Sequence, residues 1–192
     1  MSLSKLTIVI PTFYPGKIIK KCLASLPLTS EIIIIDNGED LELEKIIKLQ
    51  KHKIKHYKVG DVGLSKSFNI ALAKSKNENI LITQPDVCFE KNSIINLVKA
   101  QKKYTKAGII SPLLFEKKKY SQYDYLDLSL SKLGALENKR RPKKVSMFPS
   151  GDICVEAVNA TAMLIKKSII KKINGWDENI YTYHEDIDLC LR

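Results

Sequence analysis

Three carboxylates near the end of the chain are well placed to do acid–base or metal chemistry. Glu185, Asp186 and Asp188 lie within the segment YTYHEDIDLCLR. Such a group can bind a metal ion, act as a general acid or base, or stabilise a helix start through the helix dipole. If a helix begins near His184, Asp188 and Arg192 form an i,i+4 ion pair on its surface. The rest of the chain must decide among these possibilities.

A second set of polar residues follows apolar segments that have the composition of buried strands. LTIVIP is followed by Thr12, EIIIID ends at Asp36 with Asn37 after it, and NILITQPDV contains Pro85 and Asp86. Continuous runs rich in β-branched residues are typical of strands buried on both faces. Ligands of parallel sheets bind beyond the carboxyl ends of the strands, so these polar side chains are candidates for a binding site.

Segments with helical periodicity separate these strands. Apolar residues recur at helical spacing in KIIKKCLASL, around Leu43 and Ile46, in VGLSKSFNIALAKSK, and at Ile94 and Ile95 after a predicted cap at Asn92. KIKHYKV predicts a further, weaker strand. The alternation of strands and helices predicts an α/β fold in which a mainly parallel, twisted sheet has helices on both faces.

The pattern changes in the second half of the chain. Between Leu113 and Asp152 the periodicity is lost, which indicates an insertion or an active-site loop. ICVEAVNATAMLIKK then predicts a strand, and SIIKKING predicts a short helix capped by Ser168 and stopped by Gly175. We find no internal repeat and no linker, so residues 1–192 are expected to form one domain.

The composition is that of a globular protein with excess positive charge. Hydrophobic residues make up 44% of the chain and the formal net charge is +11. No apolar run reaches the ~18 residues of a membrane helix, and the start lacks the form of a signal peptide, so we expect a cytoplasmic protein. The four cysteines form no CxxC pair and are expected to be free thiols.

The basic residues allow three interpretations. They are scattered apart from one dense cluster, NKRRPKK, at Asn138–Lys144. They are compatible with a solvated surface, with attraction to an anionic membrane or a phosphorylated substrate, or with nucleic-acid binding. Carboxylates at the mouth of the predicted cleft would repel a phosphate backbone, so we expect no nucleic-acid partner. The absence of a GxGxxG motif, a P-loop and a GxSxG elbow disfavours the enzyme classes that those motifs mark.

The order and spacing of the segments resemble family 2 glycosyltransferases of the GT-A fold, from about residue 5 to residue 192. The nearest branch is that of rhamnosyltransferase-like enzymes of bacterial surface polysaccharide synthesis. The resemblance is carried by TIVIPTF, EIIIIDNGE, VGLSKSFNIAL, ILITQPDV and AVNATAMLIKKSIIKKINGWDENIYTYHEDIDLCLR. Relatives continue past the position of Arg192 with further helices, so the resemblance implies that a C-terminal extension is missing here.

The resemblance implies a GT-A (Rossmann-like) catalytic domain. Such an enzyme transfers a sugar, rhamnose-like or another hexose, from a nucleotide-diphosphate donor to a hydroxyl with inversion. The implied partners are a UDP- or dTDP-linked donor and a glycan or lipid-linked glycan acceptor, with a possible site of action at the inner face of the cell membrane. A non-catalytic sugar-nucleotide-binding domain of the same fold remains an alternative.

The resemblance also implies residues that bind the donor. Asp36 would accept a hydrogen bond from a pyrimidine N–H, with Asn37 beside it, and Pro11, Thr12 and Phe13 would form the other wall of the base site. Further residues match a glycine-then-asparagine helix near the donor and a D-x-D-like metal motif: Gly63, Asn69, Gln84, Pro85 and Asp86. Within that motif only Asp86 can act as a hard anionic ligand for Mg²⁺ or Mn²⁺.

In the same frame Asp186 would be the general base that takes the proton of the acceptor hydroxyl. Glu185 would raise the pKa of Asp186 by like charge or contact acceptor hydroxyls. Trp176 would pack either on the acceptor side or in the core. Two positions depart from the family pattern: Phe68 stands where relatives often have arginine, and Ala160 where they usually have glycine.

Overall fold

The structure is a computed structural model that describes residues 3–114, 128–130, 136–138 and 151–192, with side chains described in 3–114 and 151–192. Two short 3₁₀ turns, Leu3–Lys5 and Gly16–Ile18, precede the first strand and the first helix. The strands and helices in chain order are β1 (Leu6–Thr12), α1 (Ile19–Ser25), β2 (Glu31–Asp36), α2 (Leu41–Lys48), β3 (Ile54–Lys58), α3 (Leu64–Lys74), β4 (Asn79–Thr83), α4 (Ser93–Lys103), β5 (Ile109–Ile110), β6 (Leu128–Leu130), β7 (Leu136–Asn138), β8 (Ala162–Lys166), α5 (Lys167–Lys172) and α6 (Glu185–Leu191).

The main sheet of the described residues has six strands in the order β3-β2-β1-β4-β8-β5. Strands β1 to β4 run parallel to one another, β8 runs antiparallel to β4, and β5 runs antiparallel to β8. Strands β6 and β7 form a separate hairpin-like pair. The predicted α/β fold with a mainly parallel sheet is confirmed.

Helices cover both faces of this sheet. Alternate residues of β1 point to opposite sides, so that Ile8 and Ile10 join one core while Val9 joins the other. The first core is completed by residues of α1, α2 and α4, and the second by residues of α3, α5 and α6. The strands are therefore buried on both sides, which explains their continuous apolar sequences.

Several local predictions differ from the structure. Asn92 adopts a left-handed conformation (φ 69°) and its side chain does not cap α4. Leu97, and not Ile95, completes the buried stripe of that helix. Ser168 lies inside α5, which begins one residue earlier, and its hydroxyl donates to Glu78. Most of the predicted insertion, residues 115–150, lies outside the residues whose side chains are described.

The predicted strand in ICVEAVNATAMLIKK is shorter in the structure, where it is restricted to β8. The reason lies in the hydrogen bonds just before it. Thr161 donates its backbone N–H to the Asn159 side chain, and Ala160 donates its backbone N–H to the Asp186 carboxylate. These amide groups are consequently not available for a strand ladder.

The remaining sequence expectations concern thiols and membranes. All four cysteines are free, and burial, with the nearby Cys88 and Asp86, raises the pKa of Cys22 to about 12. That thiol therefore stays protonated at neutral pH. Within the described residues, no helix combines the length and apolar character needed to cross a bilayer.

Candidate active site

The strand register brings the predicted site residues to one edge of the sheet. Thr12 at the end of β1 pairs with Asp36 at the end of β2. Thr83 at the end of β4 pairs with Ala162 at the start of β8, and its hydroxyl donates to the Thr161 carbonyl at 3.0 Å. This is the edge at which parallel α/β sheets bind their ligands.

Asn37 joins the segments that follow β1, β2 and β3. It is buried, and its backbone N–H donates to the Thr12 carbonyl at 2.8 Å. Its side-chain Oδ1 accepts from the Val62 N–H at 3.2 Å and from the Ser67 hydroxyl at 3.0 Å. Asn37 thereby fixes the relative positions of three segments at this edge.

Asp36 is fully buried at the end of β2. Its Oδ1 accepts from the Gly38 N–H at 3.2 Å, and its Oδ2 accepts from the Asp40 N–H at 3.0 Å. Oδ2 also lies 3.0 Å from His56 Nε2. These three partners hold the loop after β2, and the predicted contact of Asp36 with a nucleotide base remains a prediction.

The end of β1 presents an aromatic pair at the surface. Pro11 and Thr12 are buried, whereas Phe13 and Tyr14 are 60% and 63% exposed. The two rings meet edge to face, with centroids 5.0 Å apart. Tyr14 has φ 45° and packs over Gly38, where an added Cβ would lie 2.9 Å from the tyrosine ring. Phe13 is thus accessible to a ligand, as its predicted role requires.

Gly63 and Asn69 hold the segment that leads to α6. The Leu64 N–H donates to the Tyr181 carbonyl at 2.8 Å, and a Cβ on Gly63 would lie 2.5 Å from that same carbonyl oxygen. The Asn69 amide donates to the Trp176 carbonyl at 2.9 Å and accepts from the Trp176 N–H at 3.0 Å. In this structure both residues position protein segments, and their predicted donor contacts remain predictions.

The turn after β4 carries the predicted metal ligand. The Gln84 carbonyl accepts from the Val87 N–H at 3.2 Å and from the Cys22 thiol at 3.6 Å. Asp86 is exposed, and within the described residues its carboxylate has no hydrogen bond or ion pair. No group of three or more His, Cys, Asp and Glu side chains suited to a metal occurs among these residues. Within the described residues the Asp86 carboxylate is therefore available to bind a metal ion, as the one protein carboxylate of a site that a bound ligand completes.

Asp186 is held in a fixed orientation at the start of α6. Its Oδ2 accepts from the Ala160 N–H at 3.0 Å, and its Oδ1 accepts from the Ile187 N–H at 2.8 Å. The side chain is buried. The two backbone donors fix the direction of the carboxylate, as a general base requires.

Glu185 is also buried, but its surroundings are different. Its Oε2 has no hydrogen-bond partner among the described residues. Burial raises the pKa of Glu185 above its ordinary value, a backbone hydrogen bond opposes this, and the negative charge of Asp186 adds to it. The like charge of Asp186 thus contributes to the raised pKa of Glu185, which is not the effect on Asp186 that the sequence predicted. A buried carboxyl with a raised pKa is a common feature of catalytic sites.

The residues around these two carboxylates complete the local structure. Tyr183 and His184 both have positive φ angles, 63° and 69°, a strained conformation that recurs at functional sites. The predicted ion pair is present, with Asp188 Oδ2 at 2.8 Å from the Arg192 guanidinium. Trp176 packs against Phe68 in the core, with centroids 5.1 Å apart, which decides between its two predicted places.

Sequence reasoning missed two residues of this site. His56, in β3, contacts Asp36 only because the strand register brings the two together. Tyr14 follows the predicted aromatic wall residue by one position. The only signal for His56 was that a histidine lies inside a strand. The only signal for Tyr14 was that an aromatic residue follows closely after the end of a strand.

Comparisons with known proteins agree with this arrangement. The sequence model of glycosyl transferase family 2 matches residues 7–171, most of the chain. The chain belongs to glycosyl transferase family 2. The family and the enzyme class that the sequence predicted, a glycosyltransferase, are thereby confirmed.

Two relatives of this glycosyltransferase have names that state an activity. It is 30% identical over 197 residues to rhamnosyltransferase WbbL of Escherichia coli (strain K12), covering 91% of this chain and 71% of that protein. It is 24% identical over 202 residues to the low-salt glycan biosynthesis hexosyltransferase Agl10 of Haloferax volcanii, covering 99% of this chain and 62% of that protein. The resemblance to the rhamnosyltransferase-like branch is confirmed by the first.

A solved structure shows the same fold. The crystal structure of GalNAc-T7 with UDP, GalNAc and Mn²⁺ superposes with a TM-score of 0.73 at 15% sequence identity. The superposition covers 97% of this chain and 40% of that chain, so the chain corresponds to under half of the length of that protein. The predicted GT-A fold is confirmed.

Proposed function

We propose that residues 1–192 form one catalytic domain that transfers a hexose, rhamnose-like or similar, from a UDP- or dTDP-linked donor to a hydroxyl of a glycan or lipid-linked glycan precursor, with inversion. The observation that carries this proposal is the Thr83–Ala162 register. It puts the turn of Asp86 and the Ala160–Asp186 hydrogen bond at the same edge of the sheet. Displacement of a nucleoside diphosphate requires a carboxylate that binds a cation and a carboxylate that accepts a proton, both near the reacting groups.

In this proposal Asp186 accepts the proton of the acceptor hydroxyl as its oxygen attacks the anomeric carbon opposite the leaving diphosphate. The Ala160 and Ile187 N–H groups keep both carboxylate oxygens in place during the step. Glu185 supports acceptor binding: its buried Oε2 has no partner among the described residues, and a small movement of the side chain would bring it to a sugar hydroxyl. Phe13 provides a wall for the nucleotide base.

A divalent cation fits this site through Asp86. Its carboxylate is exposed and makes no hydrogen bond with the described residues, so one protein ligand and the donor's phosphates can share Mg²⁺ or Mn²⁺. When bound, such an ion neutralises the diphosphate as it leaves. The Mn²⁺ and UDP named for the GalNAc-T7 structure support this part of the proposal. Catalysis at the cytoplasmic face of a membrane follows if the acceptor is lipid-linked.

The first test measures donor and metal binding by thermal shift with UDP, dTDP and GDP, in Mg²⁺, Mn²⁺ or chelator. At about one hundred times the dissociation constant, a bound nucleotide stabilises the fold by about 2.7 kcal/mol. We expect UDP or dTDP to do so with metal, and Asp86→Asn to remove the metal dependence. Glu90→Gln, an exposed carboxylate six residues after Gln84, is the matched control and should bind normally.

Two outcomes would count against the proposal. Equal stabilisation by nucleotide in chelator and in metal would remove Asp86 from the donor site. Nucleotide binding without release of nucleoside diphosphate from UDP- or dTDP-hexoses in the presence of glycan acceptors would favour the alternative, a non-catalytic sugar-nucleotide-binding domain.

A further inference from the structure

A basic groove lies at the edge of the sheet opposite the candidate active site. Asn79, the first residue of β4, pairs there with Lys166, the last residue of β8. The groove has a volume of about 610 Å³, and its lining includes four lysines: Lys5, Lys76, Lys102 and Lys166. Because it sits at the amino-terminal ends of the parallel strands, no step of the proposed transfer reaction uses it.

The charge of this groove is strongly positive. Among the described residues, none of the four ammonium groups has an ion-pair partner. Glu78 is the single carboxylate of the lining, and its Oε1 already accepts from the backbone N–H of Ser168 at 3.2 Å and from the Ser168 hydroxyl. Several cationic side chains that converge on one concave surface raise the local concentration of anions.

Gln101 supplies a second, independent observation. Its side chain lies on α4, is 7% exposed and lines the same groove. Its amide makes no hydrogen bond with any residue in the described part of the chain. The amide reaches the solvent in the groove, and because no protein group engages it, its NH₂ is available to donate to a ligand bound there.

We propose that the groove binds a phosphate-bearing anion. Lysine ammonium groups bind phosphate as point charges, and the Gln101 NH₂ donates to a phosphate oxygen. The groove is larger than one phosphate group, so it has room for a ligand with two phosphates or for a phosphate on a larger headgroup. A soluble phosphorylated compound and an anionic lipid headgroup share this chemistry.

The test uses the whole chain, with pyrophosphate and vesicles as probes. Calorimetry measures pyrophosphate binding, and co-sedimentation compares vesicles of phosphatidylglycerol with vesicles of phosphatidylcholine. The groove variants are Lys102→Gln/Lys166→Gln and Gln101→Leu, and the matched control is Lys20→Gln/Lys51→Gln, which removes two exposed lysines outside the groove. Melting temperatures of all variants establish that they fold.

We expect the groove pair to weaken binding about tenfold, since two charge-assisted contacts that each change affinity about threefold multiply to that factor. The control pair should change it less than about twofold. In the native chain, the Gln101 side-chain NH₂ signal in an ¹⁵N-correlation spectrum should shift on titration with pyrophosphate. Binding should also weaken with added salt, because exposed charges are screened.

The outcomes separate the two sources of phosphate. Groove-dependent binding of pyrophosphate alone supports a soluble ligand, and groove-dependent sedimentation with phosphatidylglycerol supports a lipid headgroup. The proposal is overturned if neither probe binds, or if the control pair weakens binding as much as the groove pair, since the net charge of +11 would then explain the attraction. Donor binding at the opposite edge is measured separately and should be unchanged in the groove variants.

Discussion

The two adjacent carboxylates at the start of α6 differ in what surrounds them. Both oxygens of Asp186 accept backbone N–H groups, whereas Oε2 of Glu185 has no partner among the described residues. Neighbouring residues of the same chemical type therefore suit different tasks. A carboxylate that two backbone donors hold in one direction can take up a proton from an aligned hydroxyl, and one without a partner can bind a hydroxyl.

The first residue-scale prediction concerns Asp186→Asn. Loss of a general base is expected to lower the rate of sugar transfer by about 10²–10⁴. In the native protein both carboxylate oxygens accept backbone N–H groups, so the NH₂ group of the introduced asparagine must face one of these donors. This loss of a hydrogen bond should cost about 1–3 kcal/mol of stability. Nucleoside diphosphate release, nucleotide affinity and melting temperature should be measured on the same preparation.

Asp188→Asn is the control for this prediction. It removes the exposed ion pair with Arg192, an interaction typically worth about 0.3–0.5 kcal/mol, and should leave transfer close to normal. An Asp186→Asn protein with native turnover would show that Asp186 serves only the structure of the helix start.

A second prediction concerns the pH dependence of stability at Glu185. Its pKa is raised in the folded protein above the ordinary value of 4.5, with burial as the largest cause. Between that value and the raised one, the folded state binds more protons than the unfolded state, so stability falls as pH rises through this window. Glu185→Gln removes the buried charge and should increase stability above the window, by about 2–4 °C in Tm if about 1 kcal/mol is recovered.

Thermal unfolding of native and Glu185→Gln protein over a range of pH provides the measurement. The two proteins should converge at acidic pH, where the glutamate is protonated in both states. A gain in Tm that is the same at every pH would mean that ionisation of Glu185 is not its cause.

At the scale of elements, the start of α3 positions the segment before α6. Leu64 and Ser65 bind the carbonyls of Tyr181 and Ile180 at 2.8 and 2.5 Å. Asn69 holds the Trp176 backbone from the same helix. The position of α6 thus depends on a contact between segments more than one hundred residues apart.

The element-scale prediction is that Gly63→Ala loosens this contact. The new Cβ would lie 2.5 Å from the Tyr181 carbonyl oxygen, and the φ of +80° disfavours alanine. Overpacking of this kind typically costs about 1–3 kcal/mol, and transfer should fall as Asp186 moves. Urea unfolding and nucleoside diphosphate release should be compared with Gly108→Ala, where an added Cβ meets nothing within 4 Å. Equal stability of the two variants would contradict the close approach.

At the scale of the whole molecule, the two edges of the sheet have opposite electrostatic character. Asp86 and the α6 carboxylates lie at the carboxyl edge, and four lysines line the groove at the other edge. The net charge of +11 describes neither edge. An anion at the first edge meets carboxylates, whereas an anion at the second edge meets ammonium groups.

This difference in charge between the two edges predicts whether a short oligonucleotide competes with UDP for binding to the protein. The carboxylates of the candidate active site repel a phosphate backbone, so the oligonucleotide should not displace Mg²⁺·UDP. Competition between the two can be followed by fluorescence anisotropy of a labelled oligonucleotide at about 0.15 M salt. Mutual exclusion would place nucleic acid in the donor cleft and revive the nucleic-acid interpretation of the basic composition.

The sequence by itself determined the fold class and predicted candidate site residues along the chain. Runs such as EIIIID indicated strands covered on both faces, because they are short, rich in β-branched residues and lack an alternating polar side that could face water. The polar residues after those strands therefore had to gather at one edge. The segment ending in HEDIDLCLR, compared with the family that it resembles, indicated Asp186. In the structure, two backbone N–H groups orient the carboxylate of this residue.

Only the tertiary structure decided what each side chain contacts. Asp36 and His56 meet through strand register, and Gly63 is required because a carbonyl from Tyr181 approaches it. The groove of lysines at the far edge gathers residues spread between positions 5 and 166. Helical and strand periodicity are local properties of the chain, whereas these contacts depend on which segments pack together, and one sequence carries no direct signal for that.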